Sequence, residues 1–100
     1  MSGTIQAFIE KMPKVELHLH LEGSVVPETL LKLAAKNNVV LPVKSLEELR
    51  QWYVFKDFAH FAEIYTTIAS CFRHADDIEL IAREFLIGQA KQNILYSEVT

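Results

Sequence analysis

Residues 15–21 constrain the fold of this chain more than any other feature, because apolar and polar side chains alternate there without a break. Valine or leucine fills the odd positions, and the even positions are Glu16, His18 and His20. A period of two places successive side chains on opposite faces of an extended strand. The pattern predicts a β-strand over residues 15–21 with one apolar and one polar face, ended by Glu22-Gly23-Ser24.

Helical patterns occupy most of the remaining chain. Apolar residues recur at helical spacing over residues 5–12, and Pro13 ends that pattern. Four later helices have start signals, since Pro suits a first turn and Ser or Asp suits an N-cap. Those signals are Pro27, Ser45, Asp57 and the pair Asp76 with Glu79.

The helix after Asp57 has a long apolar stripe, which we expect to face the core. Its members are Phe58, Phe61, Ala62, Tyr65, Ile68, Ala69 and Phe72. Residues 94–100 alternate again and predict a second strand.

Two strands separated by helices predict a helix-rich α/β fold with about two parallel strands. Parallel sheets normally contain several strands and are covered on both faces, so two strands alone make a poor sheet. The second predicted strand also runs to the end of the sequence. We therefore expect residues 1–100 to form the opening part of one larger domain.

Composition excludes several classes of protein. Half of the residues are apolar and 23% are charged, which is typical of a globular chain and not of a disordered one. The net charge of −3 disfavours nucleic-acid binding, and no apolar run approaches a membrane span. The single cysteine, Cys71, excludes an internal disulfide and a cysteine-rich zinc site. A reducing cytoplasm is the expected compartment.

His18 and His20 are the candidate metal ligands. Residues i and i+2 of a strand lie on one face with Cα atoms roughly 6.5 Å apart, so their imidazoles can converge on one ion. The alternative is an ordinary solvated polar face. The H-x-H spacing by itself leaves both interpretations open, because two ligands do not complete a zinc site.

The surrounding residues narrow this choice through a family resemblance. Residues 13–24 resemble the first barrel strand of the adenosine deaminase family of metal-dependent hydrolases, with both histidines, the acid and the glycine in register. The segment reads Pro-Lys-Val-Glu-Leu-His-Leu-His-Leu-Glu-Gly-Ser. Weaker similarities follow at Pro27-Glu28, at Asp57-Phe58 and at Tyr96 to Val99.

The resemblance implies that the chain is the N-terminal segment of a (β/α)₈ TIM barrel with a zinc site at the C-terminal mouth of its strands. His18 and His20 match the first two zinc ligands of the family. The other ligands, the base histidine and the catalytic acid of the family have no matching segment in residues 1–100. We therefore assign no catalytic residue to this segment and expect it to be inactive by itself.

The resemblance also suggests residues for substrate binding. Glu22 matches an acid that contacts the ribose side of nucleoside substrates, although many members have aspartate there; a solvated loop acid is the alternative. Gly23 would let the backbone pass close to a ligand. Phe58 and Phe61 fall in the region that forms an apolar lid in the family, so they either line the site or pack in the core. Glu16 is expected to point into the barrel below the metal, or into solvent.

The implied reaction is hydrolytic deamination of a 6-aminopurine nucleoside, either adenosine or a relative such as aminodeoxyfutalosine. The expected partner is thus a small-molecule nucleoside, with no nucleic acid and no membrane, and the oligomeric state stays open. The alternative is a non-catalytic relative that acts as a metal-binding or protein-interaction module.

Overall fold

The computed structural model describes residues 2–100 as helices packed beside a two-stranded sheet. In chain order the elements are α1 (Ser2–Lys11), β1 (Lys14–Leu19), α2 (Pro27–Lys36), α3 (Leu46–Trp52), α4 (Phe58–Ser70), α5 (Ala75–Lys91) and β2 (Ile94–Val99). A short 3₁₀ turn, Leu21–Ser24, follows β1. Met1, which the predicted 1–100 segment includes, lies outside the described residues.

The two strands pair in parallel, which confirms the predicted helix-rich α/β class. Glu16 pairs with Ser97 and Leu19 pairs with Val99, so three steps along β1 match two steps along β2. This register shift places one extra residue in β1 between Glu16 and Leu19, the stretch that contains His18. Such bulges bend a strand and re-aim its side chains, so the predicted strict alternation of faces does not hold through this segment.

β1 ends at Leu19 and not at residue 21 as predicted, because the chain turns into the Leu21–Ser24 segment. The Ser24 hydroxyl closes that turn by donating to the Leu21 carbonyl at 2.7 Å. Backbone pairing with the end of β2 nevertheless continues. The Leu21 N–H donates to the Thr100 carbonyl at 3.0 Å, and the Thr100 N–H donates to the Leu19 carbonyl at 2.8 Å.

Two of the predicted helix caps are confirmed and one is wrong. Ser45 accepts from the Glu48 N–H at 3.1 Å, and Asp57 accepts from the His60 N–H at 2.8 Å. The predicted Asp76 cap is wrong, because α5 begins at Ala75. The acid of the first turn that accepts hydrogen bonds from backbone N–H groups is Asp77 and not Asp76.

Asp77 is the centre of a buried polar cluster that we call the Asp77 network. Its side chain is 1% exposed and accepts from the Lys36 ammonium at 2.5 Å and the Asn37 amide at 2.8 Å. The backbone N–H groups of Arg73 and His74 donate to the same carboxylate at 2.9 and 3.0 Å. The network joins the end of α2 to the start of α5.

The apolar core lies between α2, α3, α4 and α5. Its largest buried side chains are Leu30, Leu33, Leu49 and Ile81, joined by Ile64 and Ile68 of α4. The expected core position of Phe58 and Phe61 is wrong, since these side chains are 79% and 43% exposed. The row of α4 that faces the core runs through Ile64 and Ile68, and the two phenylalanines lie on the first turns, beyond the core.

Glu16 also lies elsewhere than predicted. Its carboxylate accepts from the amide of Gln89 on α5 at 2.9 Å, and the same amide donates to the Ser97 hydroxyl at 2.7 Å. Glu16 therefore faces α5, and Gln89 ties that helix to both strands. The other side of the sheet is apolar and exposed at Val15 and Leu17. No helix in the described residues is long and apolar enough to span a membrane.

Candidate metal centre and substrate cleft

His18 and His20 stand together at the C-terminal end of β1. Their ring centroids are 5.4 Å apart and the ring planes are inclined by 45°. His18 is the penultimate residue of β1, and His20 follows the strand directly before the 3₁₀ turn. Both side chains are exposed. The structure thus brings the two predicted ligands together with their imidazoles accessible.

This donor pair fits part of a metal site. Two neighbouring imidazoles suit zinc, which binds histidine nitrogen and commonly takes four ligands. Within residues 2–100 no group of three or more His, Cys, Asp or Glu side chains is arranged to hold a metal ion. His18 and His20 can therefore supply two ligands, and a complete site needs donors from elsewhere.

A cleft of about 340 Å³ opens beside His20. Its lining is mostly aromatic and aliphatic. The full lining is His20, Gly23, Tyr53, Phe55, Phe61, Ile64, Tyr65 and Ile68. A concave, mostly apolar surface with a few polar groups is the usual form of a small-molecule site.

Of the two predicted lid phenylalanines, Phe61 lines this cleft and Phe58 does not. Phe61 meets Phe55 edge to face, with ring centroids 5.2 Å apart. Phe58 stacks on the outer side of Phe61 at 6.2 Å and is largely exposed. Phe58 can therefore influence the cleft only through Phe61 in this arrangement.

Glu22 reaches α4 and contacts Tyr65. The Tyr65 hydroxyl donates to Oε2 of Glu22 at 2.8 Å. This hydrogen bond, followed by desolvation, raises the pKa of Tyr65, which keeps the hydroxyl protonated as a donor. The Tyr65 ring also meets His20 edge on at 6.3 Å. Tyr65 thus touches both the candidate ligand and the candidate substrate acid.

Tyr53 fixes another wall of the cleft. Its hydroxyl donates to the Val25 carbonyl at 2.8 Å, which joins the end of α3 to the segment after the 3₁₀ turn. Burial is the main reason that the pKa of Tyr53 is raised. Tyr53 therefore ties the end of α3 to the segment that follows the 3₁₀ turn.

Sequence reasoning missed Tyr65 and Tyr53 as cleft residues, because Tyr65 was placed in the core stripe of α4. The available signal was its position four residues after Phe61, which puts both side chains on one helix face. The remaining histidines, His60 and His74, have other surroundings. His60 accepts from the Lys56 N–H at 3.1 Å, and His74 is exposed at the start of α5.

Comparisons with known proteins match this chain to deaminases. The family model described as adenosine deaminase matches residues 13–100. An uncharacterized deaminase of Schizosaccharomyces pombe is 41% identical over 95% of the chain, and an adenine deaminase of Wolinella succinogenes is 41% identical over 96%. The chain covers 28% and 29% of these relatives, less than a third of their length.

A solved deaminase structure has a similar fold over most of this chain. The crystal structure of adenine deaminase from Arthrobacter aurescens superposes on 87% of this chain with a TM-score of 0.79 and 33% sequence identity. The match covers 27% of that protein. The helix-rich arrangement with two parallel strands is therefore shared with part of a larger deaminase.

Proposed function

Because the chain belongs to the adenosine deaminase family, we propose that the full-length protein catalyses the hydrolytic deamination of a 6-aminopurine, with release of ammonia. The observation that carries this proposal is the His18–His20 pair, whose rings lie 5.4 Å apart beside an aromatic cleft. Residues 1–100 contribute two metal ligands and part of the substrate site.

We propose that His18 and His20 hold a zinc ion. Imidazole binds a metal in its neutral form, and both rings are exposed at the end of β1 where donors from further segments could join them. A bound zinc ion supplies a Lewis acid and lowers the pKa of water to about 7. The register shift in β1 lies between Glu16 and Leu19, the stretch that contains His18.

We propose adenine as the first substrate to test, because the relatives from Wolinella and Arthrobacter are named adenine deaminases. A planar purine suits a cleft bordered by Phe55, Phe61 and Tyr65, whose rings would exclude water from its faces. The predicted nucleoside substrate remains the second candidate, supported by Glu22, whose carboxylate accepts a hydrogen bond from the cleft residue Tyr65.

The proposed role of residues 1–100 is binding and orientation. Proton transfer to the ring nitrogen requires a carboxylic acid, which we expect from a segment outside these residues. The isolated 1–100 segment should therefore lack deaminase activity even when zinc is present.

We propose the reducing cytoplasm as the compartment of this reaction. Cys71 is fully buried and forms no disulfide. Burial is the main cause that raises the pKa of its thiol, so it is an inert core residue.

The test is an ammonia-release assay on the zinc-loaded full-length protein with adenine, adenosine and aminodeoxyfutalosine, with the 1–100 segment as a parallel sample. Turnover of at least one 6-aminopurine by the full-length protein and none by the segment would support the proposal. Zinc binding without turnover of any of the three would favour the metal-binding module instead. Activity of the isolated segment above a His18→Ala control would contradict the proposal that the catalytic acid comes from outside residues 1–100.

A further inference from the structure

The pairing of β1 with β2 changes register twice along the strand. The first and last pairs along β1 share one register, whereas Glu16 pairs with Ser97, one residue further along β2 than that register would place it. A uniform register would put Glu16 opposite Tyr96 and would need no shift. The displaced pair is therefore stabilised by an interaction that the uniform register would not allow.

The side chain of Gln89, on α5, provides this interaction. Its Nε2 donates to Oε1 of Glu16 at 2.9 Å and to the Ser97 hydroxyl at 2.7 Å. Gln89 is only 8% exposed, so both hydrogen bonds are shielded from water. A slip of one residue turns side chains to the opposite face of a sheet, and one amide could then not reach both oxygens. Gln89 thus selects the displaced register at Glu16.

The second register shift includes the candidate ligand His18, since it lies between Glu16 and Leu19. Exposure alternates along β1 as far as Glu16, which is half-buried. Leu17 and His18 are then both exposed, and Leu19 is half-buried again. Two successive exposed residues mark the point at which the bulge interrupts the alternation of faces.

The bulge turns His18 to the open side of the sheet. Glu16 and Leu19 line one cavity with residues of α5, so both lie on the side that this helix covers. Strict alternation from Glu16 would have placed His18 on that covered side as well. With the extra residue, His18 is exposed and its ring lies 5.4 Å from the ring of His20. The position of the bulge therefore determines whether His18 can act as a ligand beside His20.

We infer that Gln89 is a positioning residue for the metal centre, because its amide fixes the bulge that presents His18 to a zinc ion. It does so by holding Glu16 opposite Ser97, directly before that bulge. This inference rests on the zinc site proposed above. Gln89 acts through the backbone of β1 and is not itself assigned as a ligand. Its loss should therefore appear in the affinity for the metal.

The experiment measures the zinc dissociation constant of the full-length protein, by competition with a chromophoric chelator, for wild type and Gln89→Met. Methionine has nearly the length of glutamine and lacks the amide donor. Gln92→Met is the matched control, since Gln92 is exposed and its amide donates to the Gly88 carbonyl at the end of α5. The visible spectrum of the cobalt-substituted protein reports the geometry of the same ligands.

A second control separates positioning from stability. Asp77→Asn should destabilise the fold, because Asp77 accepts hydrogen bonds that join α2 to α5. The Asp77 network does not include β1, so this variant should keep its zinc affinity within about two-fold of wild type. The melting temperature of each zinc-free variant is measured alongside.

An exchange of side chains tests whether the contact itself is responsible. Glu16→Gln combined with Gln89→Glu moves the amide donor to β1 and the carboxylate to α5, and the Ser97 hydroxyl can then donate to that carboxylate. The exchange should restore zinc affinity to within about three-fold of wild type. Gln89→Glu alone places two carboxylates against each other and should bind zinc at least as weakly as Gln89→Met.

We expect Gln89→Met to weaken zinc binding by about ten-fold, the lower end of the range for groups that support metal ligands, and to change the cobalt spectrum. Gln92→Met should stay within about two-fold of wild type. Ser97→Ala keeps the hydrogen bond to Glu16 and removes only the anchor on β2, so it should weaken zinc binding by about three-fold. This milder variant gives the decisive value if Gln89→Met does not fold.

Several results would overturn the inference. Wild-type zinc affinity in Gln89→Met, or in Ser97→Ala if the former does not fold, would refute the positioning role and leave the deaminase function standing. Equal weakening in Asp77→Asn would assign the effect to stability and refute it as well, as would an exchange that restores no affinity. Wild type that binds no zinc would overturn the proposed zinc site together with the inference.

Discussion

The Asp77 network and the His18–His20 pair are both clusters of polar side chains, and they differ in burial and completeness. The Asp77 carboxylate is buried and accepts four hydrogen bonds from α2 and from the start of α5. The two imidazoles are exposed beside an open cleft. A cluster that satisfies its own groups stabilises a fold, while one that leaves donors free is suited to bind a ligand.

The difference also predicts how each cluster responds to substitution. Removing one member of the Asp77 network leaves buried polar groups unpaired, so the substitution should lower the stability of the fold. Removing an exposed imidazole leaves no buried group unsatisfied, so the cost should fall on metal binding and turnover.

The largest expected effect follows from His18→Ala in the full-length protein. Changing groups that merely support a metal ligand typically costs 10- to 100-fold, so loss of a ligand should lower kcat/KM for the preferred aminopurine by more than about 100-fold. The melting temperature of the zinc-free protein should stay within about 2 °C of wild type. His74→Asn, at an exposed helix start, is the control and should keep its turnover. Turnover near the wild-type value in His18→Ala would show that His18 is not a metal ligand required for activity.

Asp77→Asn should have the second-largest effect, which is a loss of thermal stability. The substitution removes the charge that faces Lys36 and weakens the acceptor for two backbone amides. Thermal unfolding should show a melting temperature lower by about 10 °C. Asp76→Asn, the neighbouring exposed acid, is the matched control and should shift it by less than about 2 °C. Equal shifts for the two variants would contradict the network.

The smallest expected effect is the pH dependence of the melting-temperature difference between wild type and Asp77→Asn. The hydrogen bond from Lys36, with help from the backbone amides of Arg73 and His74, holds the pKa of Asp77 well below its usual range. A lowered folded-state pKa gives stability that is present above the unfolded value of about 3.9 and is lost as the pH falls further. The gap in melting temperature between wild type and Asp77→Asn should therefore be constant from pH 5 to 7 and shrink below about pH 4. A gap that closes near pH 6 would require another titrating group.

The sequence predicted the elements well because local signals specify them. Alternation predicts both strands, and Ser45 and Asp57 cap helices as their side-chain oxygens allow. The start of α5 was misplaced because Asp76 and Asp77 have similar local signals. Asp77 is distinguished by the backbone N–H groups of Arg73 and His74 and by tertiary contacts from Lys36 and Asn37.

The site was harder to predict than the fold. His18 and His20 could be proposed from their spacing on a predicted strand and from the family resemblance of residues 13–24. Tyr65 could not, because an apolar stripe on α4 does not show which members face the core and which face the cleft. The core position of Ile64 and the contact from Tyr65 to Glu22 depend on how α4 rotates against its neighbours.

The most direct test of the central claim is the zinc content of the full-length protein by elemental analysis, for wild type and for the His18→Ala/His20→Ala double variant. We predict about one zinc ion per wild-type chain and a loss of most of it in the double variant, with His74→Asn retaining the wild-type content. A double variant that stays folded and still holds one zinc ion per chain would show that His18 and His20 are not the metal ligands.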